Sequence, residues 1–488
     1  MTIDSDLVPH PVSPLELMLP QGVSQSAVAL GGECPPALLP ALYAADHASA
    51  IDLLILAPSD SERNDPAWLE EAAMRVSGLA DDGVVYVLFA GAQRLRDLLV
   101  RAGLLEECVV LHVPDRRRSR YLIPIGSAAA KYALSGPVPA KRRNRLFARY
   151  GLGLPRIARR APTGVIYRRQ GAAPLARWAF ELKGQPSTSP SVFVSRSWRP
   201  GRAIVVWCFS GEQPTPDFIA KVSPRGDEEW AALLQIAPAA ASAGIRVPNV
   251  IATGTLGEAS VAVESYVDGV IARQTIAEGL LSGHAVVELI VAWLQRWGSS
   301  EMTRRPVSRS DLVRYVLAPA DLMRDALGEQ DLAPVARRLA ARLEGTVVPR
   351  VPVHNDLTAW NVLIDARGQL GVVDWEGART DGLPLTDFYY AVADVLADSS
   401  DDDGRVRSFE ACFAPWGEHR DFTMSLGRRL ESTLGVSPEL RQLCFLNTWL
   451  HHAAEEVSAT HPDGRGPFAR IARLIARDPR TFLPEQAA

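Results

Sequence analysis

Cysteine is scarce and odd in number: Cys34, Cys108, Cys208, Cys412 and Cys444 lie scattered along 488 residues. That pattern excludes a disulfide framework and the paired spacing of a zinc site, and implies reduced thiols. Charge of one sign is lacking too. The formal net charge is -4, which argues against nucleic acid as the main partner. No apolar run is long enough to span a bilayer, and Met1-Thr2-Ile3-Asp4-Ser5-Asp6 has neither the basic start nor the apolar core of a signal peptide. The expected compartment is the cytoplasm. There is no internal repeat and no low-complexity tract. What remains, 47% hydrophobic and 22% charged residues, is the composition of a soluble globular protein, and its length is too great for one ordinary domain.

The most specific signal is late in the chain. His354-Asn355-Asp356-Leu357-Thr358-Ala359-Trp360-Asn361 is followed by Val372-Val373-Asp374-Trp375-Glu376. In phosphoryl transfer the first Asp accepts the proton of an attacking hydroxyl, and the Asn and the later Asp hold magnesium against the nucleotide's phosphates. Val362 to Asp365 and Leu370 to Val373 are short apolar runs around Ala366-Arg367-Gly368-Gln369, the pattern of a β-hairpin. That hairpin places Asn361 at one foot and Asp374 at the other. His354 reads as a loop-orienting residue, because Asp356 already occupies the position of the base.

The segment from His354 to Glu376 resembles the catalytic core of the aminoglycoside phosphotransferase and choline kinase-like family, which shares the protein-kinase fold. The resemblance implies a bilobal α+β domain, ATP and Mg2+ as cofactors, and a small-molecule hydroxyl acceptor such as a sugar, an aminoglycoside-like compound or an amino alcohol. It also assigns roles upstream. Lys221, in the strand Phe218-Ile219-Ala220-Lys221-Val222, takes the place of the phosphate-contacting lysine. Glu229, ahead of Trp230 and Leu233 on a helix running from Glu228 to Ala243 and stopped by Gly244, is its positioning partner, and Glu228 is the alternative. Gly244-Ile245-Arg246-Val247-Pro248 resembles the turn into the next strand. Val261 to Gly269 resembles the hinge between lobes, with adenine met by backbone over Glu264, Ser265, Tyr266 and Val267. Ser195 opens the candidate phosphate-covering loop Ser195 to Gly201, which is not a Gly-x-Gly-x-x-Gly loop. Asp387, in Pro384-Leu385-Thr386-Asp387-Phe388, takes the place of the carboxylate that supports the catalytic loop.

Upstream, strand and helix signals alternate: Ile51 to Ala57, Asp65-Pro66 to Ser77, Val84 to Phe89, Gln93 to Ala102 and Cys108 to Val113. The alternation predicts an α/β Rossmann-like domain over 1–140 with a largely parallel sheet. The order resembles the later half of a class I methyltransferase, but the only candidate nucleotide loop, Leu30-Gly31-Gly32-Glu33-Cys34-Pro35-Pro36, contains prolines that leave it a turn. A noncatalytic domain is expected. Between 141 and 190 a basic connector carries Lys141, Arg142, Arg143, Arg145, Arg149, Arg156, Arg159, Arg160, Arg168, Arg169 and Arg177, with Gln185 to Pro190 as the linker proper. A solvated connector is the preferred reading, and contact with an anionic membrane surface or glycan carrier the sharper one. The kinase-like domain then spans 191–488, with its N-lobe over 191–268 and its C-lobe over 269–488.

Asp398 and Asp401 to Asp403 form an acidic cluster that could attract an aminated acceptor, though a solvated loop is the plainer reading. His451, His452, Glu455 and Glu456 match no zinc-protease spacing and read as i, i+4 pairs. The sequence thus predicts an ATP-dependent O-phosphotransferase. The alternatives are a nucleotide-binding pseudokinase scaffold and a methyltransferase with a kinase-like appendage.

Overall fold

A computed structural model of the chain describes residues 13, 15–21, 26–30, 50–59, 61–88, 93–113, 121–125, 127–135, 163–187, 190–196, 203–224, 228–328, 332–399, 401–459 and 461–483. The Gly31-Gly32 turn, the arginines from 142 to 160 and the loop from 197 to 202 lie outside these residues. The chain forms two compact units. The first comprises Met1–Glu228 with Val250–Tyr266, the second Glu229–Asn249 with Val267–Ala488.

The first unit is built on one sheet. Its strands are β1 (Ala27–Leu30), β2 (Ile51–Leu56), β3 (Leu79–Val87), β4 (Leu104–Val113), β5 (Tyr121–Pro124), β6 (Thr163–Arg169), β7 (Ser191–Arg196), β8 (Ile204–Phe209), β9 (Phe218–Ser223), β10 (Val250–Leu256) and β11 (Ala259–Ser265). They lie in the order β1-β2-β3-β6-β4-β5-β7-β8-β9-β11-β10. Among the described residues of this sheet, only β1 with β2 and β2 with β3 pair in parallel. The expectation of a Rossmann-like, largely parallel sheet is therefore corrected: the sheet is mixed. The cause is β6, which comes from the stretch read as connector and inserts antiparallel between β3 and β4. Gly164 permits that insertion, because a Cβ there would collide with the Tyr86 ring on β3. Nor does the segment at 185–190 separate two sheets, since β5 pairs with β7 through Tyr121 and Ser195 and through Leu122 and Val194.

Because side chains alternate across a strand, the sheet buries apolar residues on both faces. One face runs from Leu53, Ile55, Tyr86 and Ile166 through Val192, Val206 and Ala220 to Val263. On the other, Leu54, Val85 and Tyr167 pack with Trp68, Ala72, Leu95 and Leu99, which belong to the helices Pro66–Ser77 and Gln93–Arg101. The first of these begins as Asp65-Pro66 predicts: Asp65 accepts the N–H of Ala67 and proline fills the first turn.

The second unit is mainly helical, with two small sheets. One is β12 (Val270–Ile271), β15 (Val362–Ile364) and β16 (Leu370–Val372), and the other β13 (Thr303–Pro306), β14 (Val347–Val353) and β17 (Arg379–Gly382). The helix Gly283–Glu301 starts at Ser282, whose side chain accepts from Ala285, and buries Val286, Ile290, Trp293 and Trp297 at helical spacing. Trp293 and Trp297 stack at 4.9 Å between centroids. Trp375 meets Trp297 edge-on at 5.6 Å, so the tryptophan after Asp374 is anchored in the core. No helix of the described residues is long and apolar enough to cross a membrane.

Candidate active site

Strand β14 delivers the chain, buried, to His354, which is fully enclosed. Its N–H is donated to Asp387 Oδ2 at 2.6 Å, and the N–H of Asn355 to Asp387 Oδ1 at 2.8 Å. Asp387 lies in the first turn of the helix Thr386–Val395, so one carboxylate ties the loop to a helix start. Burial pushes that carboxyl up to about 6, against the two N–H groups that favour its charged form. Asn355 has φ 63 and Asp374 φ 68, left-handed backbone that Asn and Asp tolerate better than other side chains. Such conformations cluster where a loop must aim functional groups.

The tautomer of His354 follows from its partners. Asp356 donates its N–H to His354 Nδ1 at 3.3 Å, so Nδ1 is unprotonated, and Nε2, 3.0 Å from the carbonyl of Val373, carries the proton and donates it. Both ring nitrogens are thus engaged in holding the loop. The imidazole also meets Trp375 edge-on at 4.8 Å.

Asp356 is half-buried. Asn361 donates Nδ2 to the Asp356 carbonyl at 2.8 Å and to its carboxylate Oδ2 at 3.1 Å, which leaves Oδ1 as the Asn361 atom suited to a cation. The expected hairpin forms with Val362 opposite Val372 and Ile364 opposite Leu370. Val373 donates to the Asn361 carbonyl at 3.0 Å, extending the pairing to the end where Asn361 and Asp374 sit. Among the described residues no group of three or more His, Cys, Asp and Glu side chains could hold a metal. Two oxygen ligands at a hairpin foot nevertheless fit magnesium, which takes one or two protein oxygens and completes its shell with water and phosphate.

Asp394 was not legible as part of this loop, yet it accepts the N–H of Ala359 at 2.8 Å and pairs with Arg273 and with Arg405, each at 3.5 Å. Its signal was present in the sequence. Asp394 stands seven residues after Asp387, two turns along the same face of an otherwise apolar helix.

In the first unit, Lys221 on β9 pairs with Glu264 on β11 at 3.6 Å, both largely buried. The side chain of Glu229 lies outside the described residues, although its backbone opens the helix Glu228–Ser242. Ser195 is buried on β7, opposite Tyr121 and Val205. Ser265 ends β11 opposite Phe218, and the Tyr266 ring meets Tyr132 edge-on at 6.1 Å. Farther along the second unit, His451 pairs with Glu455 at 3.5 Å, while Glu456 accepts the N–H of Ala469 at 2.9 Å.

The loop thus joins the half-buried Asp356 carboxylate to the Asn361 amide, and Asp374 follows the facing strand of the same hairpin. The model described as the phosphotransferase enzyme family, APH, matches residues 205–422. Among solved structures, the chain is similar to a thermostable mutant of aminoglycoside phosphotransferase APH(4)-Ia in ternary complex with ADP and hygromycin B, at 16% identity over 63% of this chain and 97% of that one, with a TM-score of 0.39. It is similar to a putative fructosamine-3-kinase from Haemophilus somnus at 8% identity over 61% and 94%, with a TM-score of 0.37. A third is aminoglycoside phosphotransferase APH(3'')-Id from Streptomyces rimosus with ADP and streptomycin, at 16% identity over 50% and 90% and a TM-score of 0.28. No curated protein matches the chain.

Proposed function

We propose that this protein transfers the γ-phosphate of ATP to a hydroxyl of a small molecule. The observation that carries the reading is the double hydrogen bond from Asn361 to Asp356, which joins the candidate base and the candidate cation ligand in one loop. Asp356 orients the acceptor hydroxyl and takes its proton as the oxygen bonds to the γ-phosphorus and the bond to ADP breaks. His354, with both ring nitrogens engaged, cannot serve as the base. Asn361 and Asp374 would hold magnesium, which neutralises charge on the phosphates when bound. Lys221 contacts the nucleotide phosphates, positioned by Glu264 and, as the resemblance implies, by Glu229. Asp387 and Asp394 fix the loop from below through the N–H groups of His354, Asn355 and Ala359. Ser195, Ser265 and Tyr266 are proposed to border the nucleotide.

The test uses ATP labelled at the γ-phosphate, with magnesium and a panel of hydroxylated metabolites. Label appearing on an acceptor supports the reading. Label released only as inorganic phosphate, at a rate that no acceptor changes, counts against it.

A further inference from the structure

The loop that carries Asp356 is tied through Asp394 to side chains of a chemistry that it does not itself use. The Tyr390 ring stacks on the imidazole of His452 at 4.0 Å between centroids with 23° between planes. His452 in turn stacks on Phe468 at 5.1 Å and 29°. The Arg405 guanidinium lies 5.5 Å over the Phe468 ring and pairs with Asp394 at 3.5 Å. Asp394 also takes the N–H of Ala359, so Arg405 is tied to the loop that carries Asp356. The Asp356 carboxylate acts electrostatically on both Tyr390 and Arg405.

The charges beside this wall do not suit a polyamine. Asp394 serves two guanidiniums, Arg273 and Arg405, so its carboxylate is already matched by cations of the protein. Carboxylates of the acidic cluster are engaged elsewhere. Asp398 pairs with Arg407 at 3.2 Å, Asp403 pairs with Arg470 at 2.7 Å, and Asp401 caps the helix Asp402–Phe413 through the N–H of Gly404 at 2.7 Å.

We infer that Tyr390, Arg405 and His452 form an acceptor subsite beside Asp356, and that it takes a hydroxylated acceptor bearing a carboxylate or a phosphate. The inference rests on the phosphotransferase reading above and names its acceptor class. Arg405 donates to the anionic group, the kind of charge-assisted contact for which a planar guanidinium is suited. The anion itself is unchanged by the reaction. Only the acceptor hydroxyl loses its proton, to Asp356, as its oxygen takes the phosphoryl group from ATP and ADP leaves.

The experiment follows ADP formation by the full-length protein with ATP and magnesium against hydroxy acids, sugar phosphates, and aminated acceptors such as amino alcohols and aminoglycosides. One of the two anionic sets is expected to saturate the enzyme, and which one does so separates carboxylate from phosphate recognition. Arg405→Gln should raise the KM of that set about tenfold or more, the scale of removing one member of a charged contact, with a much smaller change in kcat. Arg405→Lys should restore part of the loss. His452→Ala, at a half-buried position, should raise the same KM. Equal losses of kcat with every acceptor in both the Arg405 and His452 variants would mean a purely structural wall and overturn the inference. Turnover confined to aminated acceptors overturns it while leaving the phosphotransferase standing. No acceptor-dependent ADP formation with any set overturns both.

Discussion

Asp387 receives the backbone N–H of His354 at 2.6 Å, in the interior of the protein, and so holds the loop that presents Asp356. Burial raises the Asp387 carboxyl from an ordinary 3.8 to about 6. Between those values the native state binds the proton more tightly than the unfolded chain does. The stability linked to this group is therefore fully present below about pH 4 and is lost as pH rises through about 6. Denaturant unfolding of the protein and of Asp387→Asn from pH 7 to pH 4.5 should show the gap between them shift in favour of the unsubstituted protein as pH falls, by on the order of 2 kcal/mol. A gap that stays constant with pH contradicts the assignment. Catalysis should move the other way, because protonation weakens one of the two N–H contacts that hold the loop.

Gly164 lets β6 lie beside β3, where a Cβ would meet the ring of Tyr86, itself hydrogen-bonded to the buried His112. Gly164→Ala should cost about 1–3 kcal/mol of stability by overpacking. Combined with Tyr86→Leu, the additional cost of the alanine should shrink. Urea unfolding of the single and double variants measures the coupling, and full additivity would mean that the contact does not govern the insertion.

Asp374 has φ 68, so a replacement must tolerate left-handed backbone. Asp374→Asn does so while removing the charge. Magnesium-dependent nucleotide affinity, measured by calorimetry with and without the metal, should fall by on the order of tenfold or more. Affinity without magnesium should change little. An unchanged metal dependence would remove Asp374 from the cation site.

The geometry of the candidate loop was legible because its signals are local: Asp356, Asn361 and Asp374 flank a hairpin of short apolar runs, and that hairpin forms. Asp387 was legible for the same reason, as a carboxylate at a helix start. Pairings that depend on register were not. Lys221 stands opposite Ala262, and Glu264 opposite Ile219, so their ion pair is a diagonal contact between strands whose register no local pattern specifies. The mixed sheet was hidden likewise. Thr163 to Arg169 carries a strand's residues, but its place between β3 and β4 depends on Gly164 meeting Tyr86, 78 positions earlier in the chain. Arginines in and after that run suggested a connector. In the structure Arg168 pairs with Glu107 at 3.0 Å and Arg177 with Glu181 at 3.2 Å.

Asp356→Asn tests the central claim most directly. Asparagine keeps the size of the side chain and an oxygen that can accept from Asn361, but it cannot take up the hydroxyl proton. ATP affinity in the presence of magnesium should be retained, and phosphoryl transfer to the acceptor should fall by on the order of a hundredfold or more, the scale of a positioned general base. Transfer at an undiminished rate, with nucleotide binding intact, would contradict the assignment of Asp356 and the reaction built on it.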